Sequence, residues 1–172
     1  MTFFSGFSLR GEAALFEAYL GPWRENPYVV AGFSYGAVKA VEYAISHRGR
    51  IDRLLLLSPA WFVDKSTAFK RAQLLAFRKD RDRYLKAFFR NALHPSSLDL
   101  TPYIAPGDIG ELEELLMYEW PRENFEKIRK KGIVTEIYLG REDRIVDANA
   151  AHDYFRNVGE SWLFKPYGHF LS

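Results

Sequence analysis

Tyr28-Val29-Val30-Ala31-Gly32-Phe33-Ser34-Tyr35-Gly36-Ala37-Val38-Lys39-Ala40-Val41 runs from an apolar stretch, through Gly-x-Ser-x-Gly, into a second apolar stretch. The first stretch has the length and composition of a buried strand, and the second that of a helix. A strand-to-helix turn this tight forces its central residue into a strained conformation, with the side chain held out of the fold. A Cβ at either flanking glycine would clash across the turn. A chance occurrence of the pattern would leave Ser34 as a plain helix N-cap. With a strand on one side and a helix on the other, Ser34 is instead a candidate nucleophile.

Working outward, the chain alternates strand and helix. Thr2-Phe3-Phe4 is a short strand ending in Ser5-Gly6. Glu12 to Leu20 is a helix with Ala13, Ala14, Phe16 and Leu20 as its apolar stripe, ended by Gly21-Pro22. Tyr28 to Ala31 is the strand before Ser34, and Ala37 to Ser46 the helix after it. Leu54-Leu55-Leu56-Leu57-Ser58 is a buried strand closed by Pro59, and Val134 to Leu139 another, closed by Gly140. Ala148 to Asn157 reads as a helix and Trp162-Leu163-Phe164 as the last strand. Short, continuously apolar strands separated by helices predict a parallel sheet covered on both faces. From about 61 to 131 there is no strand. Basic, aromatic helical stretches lead through a Pro-rich connection to the acidic helix Ile109 to Met117 and one more helix. Such an insertion between two strands is expected to form a helical lid, or else a structural subdomain with a solvated charged face.

At 172 residues the chain reads as one domain, 1–172, with the lid inside it. It has no cysteine, so disulfides and thiolate metal sites are excluded, and a cytoplasmic location is the expectation. No apolar run reaches the roughly 20 residues of a membrane span. Net charge is +2 but unevenly spread. Residues 65 to 90 carry nine Lys/Arg against two Asp, a net of +7, whereas 99 to 126 carry eight acids against Arg122, a net of −7. That alternation lacks the extended basic footprint of a nucleic-acid binder.

A serine hydroxyl needs a base to take its proton, and the chain has four histidines: His47, His94, His152 and His169. In an open parallel sheet the chemistry gathers at the C-terminal ends of the strands. Ser34 lies at such an end, and His169 follows the last strand by five residues. His47 is at the far end of the helix after Ser34, His94 in the lid connection, and His152 on a helix. His169 is therefore the candidate base. The base needs an acid to fix its tautomer. Gly140-Arg141-Glu142-Asp143 follows a strand end, which makes Asp143 the candidate, with Asp147 as fallback and as the expected N-cap of the next helix. For the oxyanion, the backbone N–H groups of Tyr35 and of Phe7, in the loop after the first strand, are the expected donors.

These residues resemble the α/β-hydrolase superfamily over essentially the full chain: the Gly-Phe-Ser-Tyr-Gly elbow, the Gly-Arg-Glu-Asp loop and the terminal Gly168-His169, in the order Ser, Asp, His. A typical member has more strands before the elbow, and its oxyanion loop reads His-Gly where this chain has Ser5-Gly6. The resemblance implies a minimal α/β-hydrolase fold of about five parallel strands, the first of them an edge that invites pairing, in a monomer or weak dimer.

Phe3-Phe4-Ser5-Gly6-Phe7, Leu55-Leu56-Leu57-Ser58-Pro59 and Ser66-Thr67-Ala68-Phe69-Lys70-Arg71-Ala72-Gln73-Leu74 are similar to the short pimeloyl-ACP methyl ester esterases of biotin synthesis, the BioV type. That similarity implies hydrolysis of a carboxylic methyl ester without metal or cofactor. It also implies Phe69 and Gln73 as substrate contacts, from a related Phe-x-x-x-Gln in the lid of the longer enzyme of that activity. The lid's aromatics suit an apolar acyl arm. Its cations, with Lys65, Lys70, Arg71, Arg78 and Arg81 as candidate contacts, suit an acidic acyl carrier protein. The competing readings are a general short-acyl esterase or thioesterase without a carrier, and a non-catalytic binding protein on a hydrolase scaffold.

Overall fold

Five parallel strands form a single sheet whose spatial order follows the chain: β1 (Thr2–Phe4), β2 (Val29–Phe33), β3 (Arg53–Leu57), β4 (Val134–Gly140) and β5 (Glu160–Phe164). The computed structural model describes residues 1–172. The register pairs Phe4 with Gly32, Phe33 with Leu57, Leu57 with Tyr138 and Gly140 with Phe164. All five strands therefore end at one rim. The central strands are the most apolar because both their faces are covered: β2 is buried throughout and β3 from Leu54 to Leu57. β1 and β5 are the edges and are only partly buried.

The two faces are covered unequally. On one, Val30, Leu54, Leu56, Ile137 and Leu139 pack in one cluster with residues of α2 (Tyr35–Ser46), α6 (Arg122–Lys130) and α7 (Ala148–Phe155). On the other, Val29, Ala31, Phe33, Leu55 and Leu57 pack with Phe16, Leu20, Phe170 and Leu171. Phe16 and Leu20 come from a 3-10 turn, Glu12–Phe16, that runs into the one-turn helix α1 (Glu17–Leu20). The helix expected over Glu12 to Leu20 is thus mostly 3-10, and its buried positions are Glu12, Phe16 and Leu20, with Ala14 exposed.

That arrangement has a topological consequence. Every connection steps one strand in the same direction, yet the β1–β2 connection crosses one face and α2, α6 and α7 lie on the other. The first connection therefore has the opposite hand from the other three. Since parallel crossovers are right-handed in about 98% of cases, β1–β2 is the left-handed one.

Residues 58–121 hold no strand. They contain α3 (Thr67–Lys79), α4 (Arg81–Leu93) and α5 (Ile109–Met117). Each starts on a side-chain cap: Ser66 accepts from Phe69 N–H, Asp80 from Arg83 N–H, and Asp108 forms a capping box with Glu111. α3 packs on α4 and α5, and α5 rests on α2. α6 differs, because Phe125 and Ile128 bury it against α2 and β4 as part of the sheet's helical layer. The expected span of about 61–131 thus holds α3 to α5, which pack on one another, and α6, which belongs to the sheet's helical layer. No helix is long and apolar enough to cross a membrane.

Helix α2 starts in backbone contact with β1. A Cβ on Gly36 would run into the carbonyl oxygens of Phe4 and Ser5. Gly36→Ala is expected to destabilise the fold by about 2–3 kcal/mol through overpacking against backbone that has no room to yield. A lower urea midpoint with unchanged slope would register it.

Candidate active site

Three loops leaving the same rim of the sheet bring Ser34, Asp143 and His169 together. Ser34 follows β2 directly, Asp143 lies three residues past β4 and His169 five past β5. Ser34 has φ 53° and ψ −112°, a combination that side-chain-bearing residues avoid. The turn is clamped in place: Ser34 N–H donates to Leu57 O (2.8 Å), and Ser34 O accepts from Ala37 and Ala60 N–H (3.1 and 3.2 Å). Although Ser34 stands at the N-cap position of α2, its side chain makes no cap hydrogen bond. Its Oγ instead lies 2.9 Å from His169 Nε2.

His169 Nδ1 is 2.6 Å from Asp143 Oδ2. The other oxygen of Asp143 accepts backbone N–H groups from Ile145 (2.7 Å) and Val146 (3.1 Å), so the carboxylate is fixed from both sides. A carboxylate only accepts, so Nδ1 carries the proton and Nε2 is left as the acceptor for the Ser34 hydroxyl. Phe33 supports the imidazole at a centroid distance of 5.1 Å. Asp147 is elsewhere engaged, accepting Ala150 N–H at 3.0 Å as the N-cap of α7. Of the other histidines, His47 stacks on Tyr43 at the far end of α2 and His152 meets Ser161 Oγ at 2.9 Å.

In the loop after β1, Phe7 is buried and its N–H has no hydrogen-bond partner in the protein. Tyr35 opens α2, and N–H groups of a first helical turn lack intrahelical acceptors. The Tyr35 side chain reaches away to α5, where its hydroxyl donates to Glu114, and Lys39 sits over its ring at 4.4 Å. Burial, followed by the Glu114 contact, pushes its phenol well above the ordinary range, so it stays neutral. Lys39 also pairs with Glu111 at 3.6 Å. Part of the acidic stretch is therefore spent on anchoring α5 to the elbow helix.

Ser34 is 4% exposed and His169 1%. Beside them lies a cavity of about 320 Å³, mostly apolar, formed by α3, α4, α5 and the Asp143 loop. Phe69 and Gln73 line it, with Tyr84, Phe88, Leu116, Arg144 and Ile145. Tyr84 donates to Gln73 Oε1 (3.1 Å), and burial raises its phenol to about 12. Phe88 links the cavity to the loop after β1, packing on Phe7 at 5.8 Å. Ser34 and His169 do not line this cavity themselves. Among the lid cations, Arg71, Arg78 and Arg81 are exposed, Lys70 is half-buried, and Lys65 pairs with Asp64 at 2.5 Å. Lys70, Arg71, Arg78 and Arg81 have no carboxylate within ion-pair distance.

Comparison with protein-family models and with curated proteins gives no match. Solved structures do match. An esterase from Exiguobacterium antarcticum superposes with a TM-score of 0.62 at 21% identity, covering 91% of this chain and 65% of that one. A bromoperoxidase from Bacillus anthracis gives 0.62 at 18%, covering 91% and 65%. Est816, an N-acyl homoserine lactone degrading enzyme, gives 0.65 at 16%, covering 98% and 85%. The fold is that of the α/β-hydrolases. At these identities the likeness is one of fold, and a bromoperoxidase among esterases shows why fold alone assigns no reaction. The chain spans just under two-thirds of the length of the Exiguobacterium esterase.

The amino-acid sequence alone did not point to Glu12 as a buried contact of the loop after β1. Nor did it point to Arg144, Asn91 and the α5 leucines as cavity wall. Glu12 was hidden inside an apolar stripe, and the cavity exists only once three helices pack.

Proposed function

We propose that the protein is a serine hydrolase of carboxylic esters. The observation that carries the reading is the two-bond relay from Ser34 Oγ through His169 to Asp143. Ser34 Oγ attacks the ester carbonyl while His169 Nε2 takes its proton. The N–H groups of Phe7 and Tyr35 receive the developing oxyanion. Collapse expels the alcohol, which takes the proton back from His169. A water then attacks the acyl-enzyme with His169 again as base, releasing the free carboxylate and restoring Ser34.

The finer reading is a methyl ester on an acyl arm delivered by an acyl carrier protein, with pimeloyl-ACP methyl ester as the substrate that the sequence resemblance implies. Two features support it. The cavity wall at Phe69 and Gln73 is apolar enough for an alkyl chain, and α3 and α4 present cations without carboxylate partners. Complementary charge of this kind acts chiefly on association rate and orientation. Hydrolysis of pimeloyl-ACP methyl ester is therefore expected to exceed that of free dimethyl pimelate in kcat/KM. Reversing Arg71, Arg78 and Arg81 to Glu should lower the carrier-bound rate by about tenfold or more at low salt and leave the free ester within twofold. Equal rates on the two substrates would instead favour a short-acyl esterase that needs no carrier.

A further inference from the structure

The loop that leaves β1 carries the Phe7 N–H, and its two halves are held differently. Beyond Phe7 the backbone is tied to the segment ahead of α5: Ala105 N–H donates to Ser8 O (2.9 Å), and Arg10 N–H to Tyr103 O (2.8 Å). On the near side of Phe7, Gly6 N–H has one partner. It donates to Oε1 of Glu12 at 2.7 Å, in a buried hydrogen bond. Glu12 is fully buried, and its other oxygen, Oε2, has no hydrogen-bond partner. A side chain ordinarily found at the surface has thus been taken out of water to meet one backbone N–H. Position 6 is closely packed, since a Cβ added there would lie 2.8 Å from the Phe33 ring.

The geometry points to Glu12 as a positioning residue for the oxyanion hole. By occupying Gly6 N–H it fixes the Ser5–Gly6 peptide plane, and the next plane, which carries the free Phe7 N–H, is held at its carbonyl by Leu9 N–H (3.1 Å to Gly6 O), so Glu12 anchors the entry to the turn from which that N–H projects. It touches neither substrate nor reacting atoms. Its effect runs through the direction of a single donor. Oxyanion donors are sensitive to placement: loss of one costs about 10²- to 10³-fold in kcat. A donor misdirected rather than lost is expected to cost about 10- to 100-fold.

Three variants isolate this role. Glu12→Gln keeps Oε1 as acceptor and is expected to retain kcat within threefold, while melting lower because its amide donors find no partner in the buried site. Glu12→Asp keeps the acid but is one methylene too short to reach Gly6. It is expected to lose about 10- to 100-fold in kcat/KM on a p-nitrophenyl ester. Glu12→Leu fills the space without an acceptor and should behave like Glu12→Asp. The readout that a structural role would not move is the affinity of a boronic acid, which captures Ser34 as a tetrahedral adduct. For Glu12→Asp it should weaken by the same factor as kcat/KM, with rates expressed per site titrated by a fluorophosphonate. Glu12→Asp or Glu12→Leu with boronate affinity and kcat/KM within threefold of wild type would overturn the inference. So would a folded Glu12→Gln that loses activity as far as Glu12→Asp does. The inference rests on Ser34 as nucleophile. Failure of the wild-type protein to take the fluorophosphonate would remove that reading itself, whereas labelled, fully active variants would remove only the role of Glu12.

Discussion

Ser34→Ala is expected to lower kcat by roughly 10⁵-fold or more, leaving only the rate that the oxyanion donors and binding provide without a nucleophile. Fold stability should change little. Alanine keeps the Cβ and therefore the same backbone strain at φ 53°, and the clamps to Leu57, Ala37 and Ala60 are all main-chain. The lost bond is the one to His169 Nε2, 2.9 Å away. A steady-state assay alongside a thermal melt separates the two quantities, and a fluorophosphonate should no longer label the protein. Retention of more than about 1% of the wild-type rate by a protein free of wild-type contamination would show that another group does the attacking. The binding-protein reading makes the opposite forecast, that wild type and variant are equally inert.

The amino-acid sequence makes the elbow legible because its chemistry is local. A strand, a turn that tolerates no Cβ at Gly32, where it would meet Gly36 O, and a helix are neighbours in the chain, so five residues specify the position of Ser34. His169 and Asp143 were readable at one remove. Parallel strands all end at one rim, and a polar residue just past a strand end arrives there whatever the details of packing. The choice between Asp143 and Asp147 needed coordinates, since both sit near the end of β4 and only backbone geometry sends Asp143 inward and leaves Asp147 to cap α7.

Two features were not legible. The hand of the β1–β2 connection runs against the general rule, and nothing in residues 5–28 signals it, because Phe16 and Leu20 would offer the same stripe to either face. For the polarised insertion the sequence left open a lid or a subdomain with a solvated charged face. In the structure Glu114 and Glu111 instead reach Tyr35 and Lys39, so part of the negative stretch is internal wiring between α5 and the elbow helix. Pairwise side-chain contacts across about 75 residues leave no trace in local composition. The basic stretch contrasts with it, since Arg71, Arg78 and Arg81 remain exposed and without acidic partners.

Asp143→Asn tests the acid more sharply than removal of its side chain, because the shape survives and the proton pattern does not. The asparagine Oδ1 still accepts from Ile145 and Val146 N–H, as the carboxylate does now at 2.7 and 3.1 Å. The atom facing His169 Nδ1 then becomes an NH₂ group, which only donates. Nδ1 must turn into the acceptor, the imidazole proton moves to Nε2, and the nitrogen beside Ser34 Oγ can no longer take a proton. A fall of about 10⁴-fold in kcat is expected, with KM for a small ester little changed and fluorophosphonate labelling slowed by a similar factor. Asp147→Ala is the matched control. It removes the bond to Ala150 N–H, so it should lower stability by about 1 kcal/mol and leave kcat within twofold. An active Asp143→Asn beside an inactive Asp147→Ala would transfer the role to Asp147. That outcome would require the loop after β4 to rearrange during turnover, because in the present geometry Asp147 is held by α7 and His169 is already hydrogen-bonded to Asp143.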